Sequence, residues 1–144
     1  MTSEEILKHT RDTGDFMPLL ESIPYAVFIG LHCDRFGDDI IFRLPPKPEN
    51  LGNPVLPAIH GGVIGGFMEV SAAIYLMMSQ DIFRVPKIID FSLDYLRAGL
   101  DQETFAECHL TRQGKRVANV MITAWQKSRQ QPIATARAHF LMED

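Results

Sequence analysis

The sequence predicts an α+β fold in which an antiparallel β-sheet wraps around one long apolar helix. The helix is predicted over residues 61–79, where apolar side chains occur on nearly every face, so it must be buried all round. Strand-like segments stand on both sides of it in the chain, two before the helix and four after it. A sheet curled about the helix would bury both the helix and its own apolar face.

The composition is that of one globular domain covering residues 1–144, because 46% of the residues are hydrophobic and 22% are charged. The net charge of −4 argues against a nucleic-acid partner. The polar, acidic first five residues do not resemble an export signal, and Cys33 and Cys108 match no metal or redox spacing. We therefore expect a cytoplasmic protein that is not anchored in a membrane and binds no metal.

Residues 1–24 are predicted to form a helical extension ahead of the sheet. Ser3 is expected to cap a short helix that runs from about residue 4 to residue 8, with its end open to continuation beyond. A further helical turn is expected over residues 16–22 and must end before Pro24, because proline cannot continue a helix.

Two strands and a loop are predicted between this extension and the central helix. Residues 25–34 and 38–44 have the composition of strands, joined by a turn at residues 35–37. Residues 45–57 contain five prolines, so we expect an irregular loop there.

The apolar segment at residues 59–78 is long enough to raise the question of a membrane span. It contains His60 near its start and Glu69 at its middle, and a carboxylate at the centre of a bilayer is costly. A buried core helix of roughly five turns is therefore the better interpretation.

Four strands are predicted after the helix. In residues 89–95, apolar side chains alternate with Asp or Ser at a period of two. Residues 104–112 and 115–127 form two further strands joined by a tight turn, and residues 133–142 form the last one.

The most informative segment reads Ile59-His60-Gly61-Gly62-Val63-Ile64-Gly65-Gly66-Phe67-Met68-Glu69. It resembles hotdog-fold thioesterases of the phenylacetate-degradation and 4-hydroxybenzoyl-CoA types, in which His-Gly-Gly opens the central helix and an acidic residue follows nine positions after the histidine. Residues 90–97 and the spacing of the last three strands also resemble those families, from about residue 25 to the end. The resemblance implies a hotdog fold, cofactor-free hydrolysis of an acyl-CoA substrate, and a homodimer or a dimer of dimers (a homotetramer).

Gly61 and Gly62 leave the first amides of the helix open to close approach, and these amides carry the positive end of the helix dipole. A thioester carbonyl placed there would be polarised. We expect the Gly62 N–H to stabilise the oxyanion formed on attack and Gly61 to contribute to substrate binding. The alternative is that the two glycines only permit a tight turn or close packing.

Glu69 is the predicted catalytic residue. An ionised carboxylate inside an apolar helix is costly unless it has a partner. It would act either as a general base toward water or as a nucleophile toward the thioester carbon. The structural alternative is a glutamate held by backbone groups or by an arginine.

The spacing also predicts a site shared between two subunits. Nine residues of helix give about 13 Å of rise, and nine steps of 100° place His60 and Glu69 on opposite faces. We therefore expect that the Gly62 amide and Glu69 of one chain cannot both contact one carbonyl carbon. If both are catalytic, each site takes one of them from each subunit of a homodimer.

Supporting catalytic roles are assigned to two polar residues. His60 either orients the thioester through a hydrogen bond or is only structural. In the families that the chain resembles, an Asn or Gln commonly lies six residues before the histidine, where this chain has Pro54, so the neighbouring Asn53 becomes the candidate for holding the attacking water. Some members have Ser or Thr at the position of Ile88, and isoleucine cannot make that hydrogen bond.

A basic cluster is expected near the mouth of the pocket, because CoA has several phosphates. The candidate residues are Arg97, Arg112, Lys115 and Arg116. The alternative is that these residues are simply solvated at the ends of strands.

Two other functions remain open from the sequence. Pro54 and Ile88 make a non-catalytic hotdog protein credible, one that binds acyl-CoA as a sensor or scaffold. Changing Glu69 would then leave binding intact. A dehydratase or hydratase of the same fold would need a differently placed histidine and acid, which the sequence does not show.

Overall fold

The structure, a computed structural model, describes residues 1–142 and contains four α-helices and eight strands within that range. In chain order these are α1 (Ser3–Thr13), α2 (Met17–Glu21), α3 (Pro24–Ile29), β1 (His32–Phe36), β2 (Asp39–Leu44), β3 (Leu51–Asn53), β4 (Ala58–Ile59), α4 (Gly61–Gln80), β5 (Lys87–Tyr95), β6 (Thr104–Gln113), β7 (Val117–Trp125) and β8 (Ala134–Leu141). A 3₁₀ turn spans Pro48–Asn50, just before β3.

Six strands form one antiparallel sheet in the order β1-β2-β6-β7-β8-β5. Strands β3 and β4 form a separate short hairpin that leads into α4. Strand β5 lies at the edge of the sheet and pairs only with β8. Its outer edge therefore has no strand partner in the part of the chain that the structure describes.

Helix α4 lies at the centre of the core. Ten of its residues are buried, and it packs against β2, β5, β6, β7 and β8 of the sheet. By length and apolarity it could cross a membrane, but 61% of its most apolar window is buried inside the protein. The predicted α+β architecture, a hotdog fold with an antiparallel sheet around a long apolar helix, is confirmed.

The N-terminal helices pack onto this same core through Leu7, Phe16 and Leu19. Helix α1 continues beyond residue 8, as far as Thr13. Its N-cap is Thr2 rather than Ser3, because the Thr2 side-chain oxygen accepts a hydrogen bond from the Glu5 N–H at 3.2 Å. The helix ends at Gly14, whose φ of 76° lies in the left-handed region.

The predicted strand over residues 25–34 is wrong in its first half. Pro24 occupies the first position of α3, where its fixed φ favours a helix and its missing N–H is not needed. Ala26 and Ile29, three residues apart, form the buried face of this helix. Gly30, with a φ of 81°, then ends it, and the strand begins only at His32.

The turn and loop predictions also need correction. Strand β1 continues to Phe36, so the turn lies at Gly37 and the residue after it rather than at residues 35–37. The loop over residues 45–57 contains the 3₁₀ turn and strand β3. Regular structure is possible there because Pro48 starts the 3₁₀ turn, where its missing N–H costs nothing.

We expect Phe67→Ala to lower the free energy of unfolding by about 3–5 kcal/mol, because Phe67 is fully buried in α4 and its loss leaves a cavity. The matched control is Phe36→Ala at a side chain that is 66% exposed, for which we expect a change within about 0.5 kcal/mol. Urea unfolding followed by circular dichroism measures both. Similar losses in the two variants would contradict the position of α4 in the core.

Candidate active site

Glu69 lies in the middle of α4, on a strip of the helix that the sheet leaves partly open. Gly62, Gly66 and Glu69 follow one another at helical spacing, and none of the three is buried. The neighbouring side chain of Met68, in contrast, has no exposed surface. Within residues 1–142 the Glu69 carboxylate has no hydrogen-bond or ion-pair partner, so the structural alternative of a glutamate held by backbone or arginine is not observed.

The first two backbone amides of α4 differ in whether they have a hydrogen-bond acceptor. The His60 Nδ1 atom accepts a hydrogen bond from the Gly62 N–H at 2.8 Å, which makes His60 the N-cap of the helix. The predicted oxyanion donor, Gly62, is therefore already paired in the isolated chain. The Gly61 N–H has no acceptor among the described residues, so it is the open amide at this helix end.

Strand β5 runs beside the N-terminal half of α4. The Tyr95 hydroxyl donates a hydrogen bond to the Gly61 carbonyl oxygen at 2.6 Å. A Cβ atom added at Gly65 would lie 3.2 Å from a methyl carbon of Leu93. Close packing against β5 is thus one reason for the glycines of this segment, in addition to the open amide.

Gly62 and Glu69 of one chain are kept from acting on one carbonyl carbon by their distance along the helix, not by lying on opposite faces as predicted. They are seven residues apart, which is two turns less about 20°, so they share a face rather than lie on opposite faces. His60 itself stands outside the helix as its N-cap. The rise of about 10 Å over seven residues still keeps one carbonyl carbon from contacting both groups.

Asn53 lies at the end of β3, opposite Ala58 in the short hairpin, and its side chain is exposed. Its Oδ1 atom accepts hydrogen bonds from the Val55 N–H at 3.0 Å and the Leu56 N–H at 3.2 Å. The side-chain oxygen therefore shapes the proline-containing loop. The hairpin places Asn53 near the start of α4 and not near Glu69 of the same chain.

The four basic candidates do not form one cluster within a chain. Arg97 follows β5 at the end of the sheet where α4 begins. Arg112, Lys115 and Arg116 surround the β6–β7 turn at the opposite end, where Lys115 and Gln80 at the end of α4 line the same hollow. The nine residues of β7 separate the two ends by roughly 30 Å.

Sequence reasoning missed Tyr25, which helix α3 places against α4. A Cβ atom added at Gly66 would lie 2.6 Å from the Tyr25 hydroxyl oxygen, so the tyrosine side chain rests directly on Gly66. Gly66 is one helical turn before Glu69. The prediction of a strand at residues 25–34 hid this contact, whereas Pro24 as the first residue of a helix would have been the signal for it.

Other features of the described residues do not converge on Glu69. A groove of about 940 Å³ opens between β2 and β6, and its lining includes Tyr75 and Cys108 but none of the predicted site residues. Burial raises the pKa of the Cys108 thiol and of the Cys33 thiol, so neither is a reactive thiolate at neutral pH. Among residues 1–142, no group of three His, Cys, Asp or Glu side chains is placed to hold a metal ion.

Known proteins resemble this chain in both sequence and structure. The family model described as "Thioesterase superfamily" matches residues 56–133, which include the whole of α4. A crystal structure of a Chromobacterium violaceum protein is 42% identical, with 96% of each chain covered and a TM-score of 0.78. No curated protein matches by sequence.

Two more distant structures share the fold. A phenylacetic acid degradation-related protein from Ralstonia eutropha is 21% identical, with 88% of this chain and 98% of that chain covered and a TM-score of 0.73. A thioesterase enzyme from Staphylococcus aureus is 15% identical, with 82% and 97% covered and a TM-score of 0.68.

We expect His60→Ala to lower the free energy of unfolding by about 1 kcal/mol, because the substitution removes the N-cap acceptor of the Gly62 amide. His32→Ala is the matched control, since the His32 side chain is exposed and makes no hydrogen bond with the described residues. Guanidinium unfolding of both variants measures the difference. A His60→Ala variant as stable as the control would show that the cap contributes nothing.

Proposed function

The chain belongs to the thioesterase superfamily, and from this premise we propose that it hydrolyses an acyl-CoA thioester to a carboxylic acid and free CoA. The observation that supports this best is the Glu69 carboxylate, which has no hydrogen-bond or ion-pair partner within residues 1–142 and lies on a partly open strip of the core helix. The reaction needs no cofactor. We place it in the cytoplasm, where the free thiols of Cys33 and Cys108 remain reduced.

Two routes use the same carboxylate. As a general base, Glu69 takes a proton from water while the water oxygen bonds to the thioester carbon. The C–S bond then breaks, and the CoA sulfur receives the proton back from Glu69. As a nucleophile, Glu69 bonds to the carbon, CoA thiolate leaves, and water hydrolyses the resulting anhydride.

The oxyanion donor in this proposal is an amide at the start of α4. The Gly61 N–H is available as the structure stands, at the positive end of the helix dipole. The Gly62 N–H becomes available only when the His60 ring turns away from it. We therefore assign the primary donor role to Gly61 and a conditional one to Gly62.

We propose that the active unit is a homodimer joined through β5. This strand has an unpaired edge in the described chain, and the large apolar side chains of Ile89, Tyr95 and Leu96 on and after it are each more than half exposed. Pairing the two β5 edges would cover these side chains. Two such dimers could pair again through surfaces away from this edge.

A twofold axis at β5 also places the catalytic groups together. Phe91, the middle residue of β5, contacts the position of Gly65 on α4. Gly65 lies midway between Gly61 and Glu69 along the helix. If the twofold axis passes at the height of Gly65, Gly61 of the partner subunit comes to the same height along the helix as Glu69. A site shared between the subunits requires this arrangement.

The same symmetry would join the separated basic residues. An antiparallel pairing of β5 edges would put the Arg97 end of one sheet at the same end of the joined sheet as the β6–β7 turn of the other, with β5 and β8 of that sheet between them. Arg97 of one subunit and Lys115 of the other would then flank one end of the joined sheet. These two residues are our candidates for contacts with the CoA phosphates.

Acyl-CoA binding without turnover is the second candidate function. It is favoured by the pairing of the Gly62 amide with His60 and by the use of the Asn53 side-chain oxygen in its own loop. Both groups are engaged within the chain and are not free for catalysis as the structure stands.

Turnover of acyl-CoA should fall at least a hundredfold in Glu69→Gln, because the amide can neither accept the proton of water nor attack the thioester. The matched control is Glu49→Gln at an exposed residue of the 3₁₀ turn, which should retain full activity. CoA release is measured with short, medium, long and aromatic acyl-CoAs. Turnover that survives in Glu69→Gln would remove Glu69 from the mechanism, and tight binding without any turnover by the wild type would favour the second function.

A further inference from the structure

We propose that the Tyr25 hydroxyl positions the attacking water for Glu69 of the same chain. This inference rests on the proposed hydrolysis and adds a residue to its machinery. Tyr25 lies outside the family-matched segment of residues 56–133, in the helical part that precedes the sheet.

The contact between Tyr25 and α4 is close. Atoms Oη, Cε2 and Cζ of Tyr25 lie 2.6, 2.7 and 3.0 Å from where a Cβ atom would stand at Gly66. Only a residue without a side chain leaves room for the ring at this distance. The Tyr25 ring therefore packs directly on Gly66, which lies on the same strip of α4 as Glu69.

Helix α3 holds this tyrosine firmly in place. The flanking Ala26 and Ile29 side chains have no exposed surface. The buried Asn50 side chain donates a hydrogen bond from Nδ2 to the Ile29 carbonyl oxygen at 2.8 Å, and the Lys47 ammonium donates to the Phe28 carbonyl oxygen. The position of the Tyr25 hydroxyl is thus set by a packed helix rather than by a loop.

The Tyr25 ring and hydroxyl lie against Gly66, and Glu69 stands one helical turn further along the same strip of α4. Neither the Tyr25 hydroxyl nor the Glu69 carboxylate makes a hydrogen bond within residues 1–142, and they do not bond to each other. Side chains on a helix lean toward its N-terminus, so the Glu69 carboxylate leans toward the turn that holds Gly66 and the tyrosine. A water molecule bound between two such groups would satisfy both.

The other polar residues near the start of α4 are already engaged. The Asn53 Oδ1 atom accepts two amide hydrogen bonds in its own loop, and His60 Nδ1 accepts the Gly62 amide. Both also belong to the end of α4 that lies about 10 Å or more from Glu69 of the same chain. Tyr25 is the free hydroxyl that the described fold brings to the Glu69 half of the site.

The role of Tyr25 is to hold the water and not to exchange protons. The water donates one hydrogen to the Glu69 carboxylate and the other to the Tyr25 oxygen, which leaves an oxygen lone pair for the thioester carbon. The proton that Glu69 accepts passes to the CoA sulfur when the C–S bond breaks. Tyr25 keeps its own proton throughout, and the ring alone cannot hold the water once the hydroxyl is removed.

The test compares Tyr25→Phe with Tyr75→Phe in the full-length protein. Tyr75 is the matched control because its hydroxyl accepts a hydrogen bond from the Leu110 N–H at 3.0 Å, in the groove away from Glu69. We expect kcat to fall about tenfold or more in Tyr25→Phe, because one well-placed hydrogen bond contributes a factor of about that size. In Tyr75→Phe, kcat should stay within about twofold of the wild type. The Kd of a non-hydrolysable thioether analogue of acyl-CoA should stay unchanged in Tyr25→Phe.

A second variant keeps the hydroxyl and moves it. Gly66→Ala places a methyl group where the tyrosine now rests, so kcat should fall although Tyr25 is intact. Unchanged kcat in Tyr25→Phe, while Glu69→Gln is inactive, would overturn this inference and leave the proposed function standing. A weakening of analogue binding as large as the fall in kcat would also overturn it, because Tyr25 would then contribute to substrate binding and not to the position of the water. Absence of turnover by the wild type with every acyl-CoA would overturn the proposed function and this role together.

Discussion

A carboxylate in the middle of an apolar helix is tolerable only where the helix has a strip that the rest of the fold leaves uncovered, because an unpaired buried charge is costly. In this chain Gly62, Gly66 and Glu69 form a strip of α4 that is not buried, whereas ten other residues of the helix are buried. The rest of the site follows from that opening. Gly66 leaves room for Tyr25 to lie against this strip, and Gly61 and Gly65 leave room for β5 beside it. The Gly61 N–H at the helix start has no acceptor among the described residues.

In the proposed mechanism, one subunit holds an incomplete site. The open amide and the carboxylate belong to one helix and lie too far apart along it to act on a single carbon. Within the described residues, one edge of β5 has no strand partner and exposed apolar residues lie beside it, and we propose that a second copy completes the site through this surface. Catalytic geometry and the unsatisfied edge of the sheet therefore point to the same assembly.

The sequence predicted the architecture well because the strongest pattern, an all-round apolar helix between alternating strands, reflects the core itself. The N-cap role of His60 and the pairing of its ring with Gly62 could not be predicted, since the rotamer of the imidazole depends on packing. The segment at residue 25 was misread because a short apolar run fits a strand and a helix equally, and only Pro24 and Gly30 distinguish them. Because of that error the contact of Tyr25 with Gly66, between residues 41 positions apart, was not predicted.

The central claim, a site made of one amide and one carboxylate from different subunits, is tested most directly with purified mixed dimers. One subunit would have Glu69→Gln, and the other Gly61→Pro, which removes the amide hydrogen at a helix position where proline is tolerated. The backbone of His60, with ψ of 132°, suits a residue before proline, and Gly61→Ala is the control that keeps the N–H. The account predicts two inactive parent dimers and a mixed dimer with about half of wild-type activity, from its one intact site. A mixed dimer as inactive as its parents would place the whole site within one chain and contradict the account.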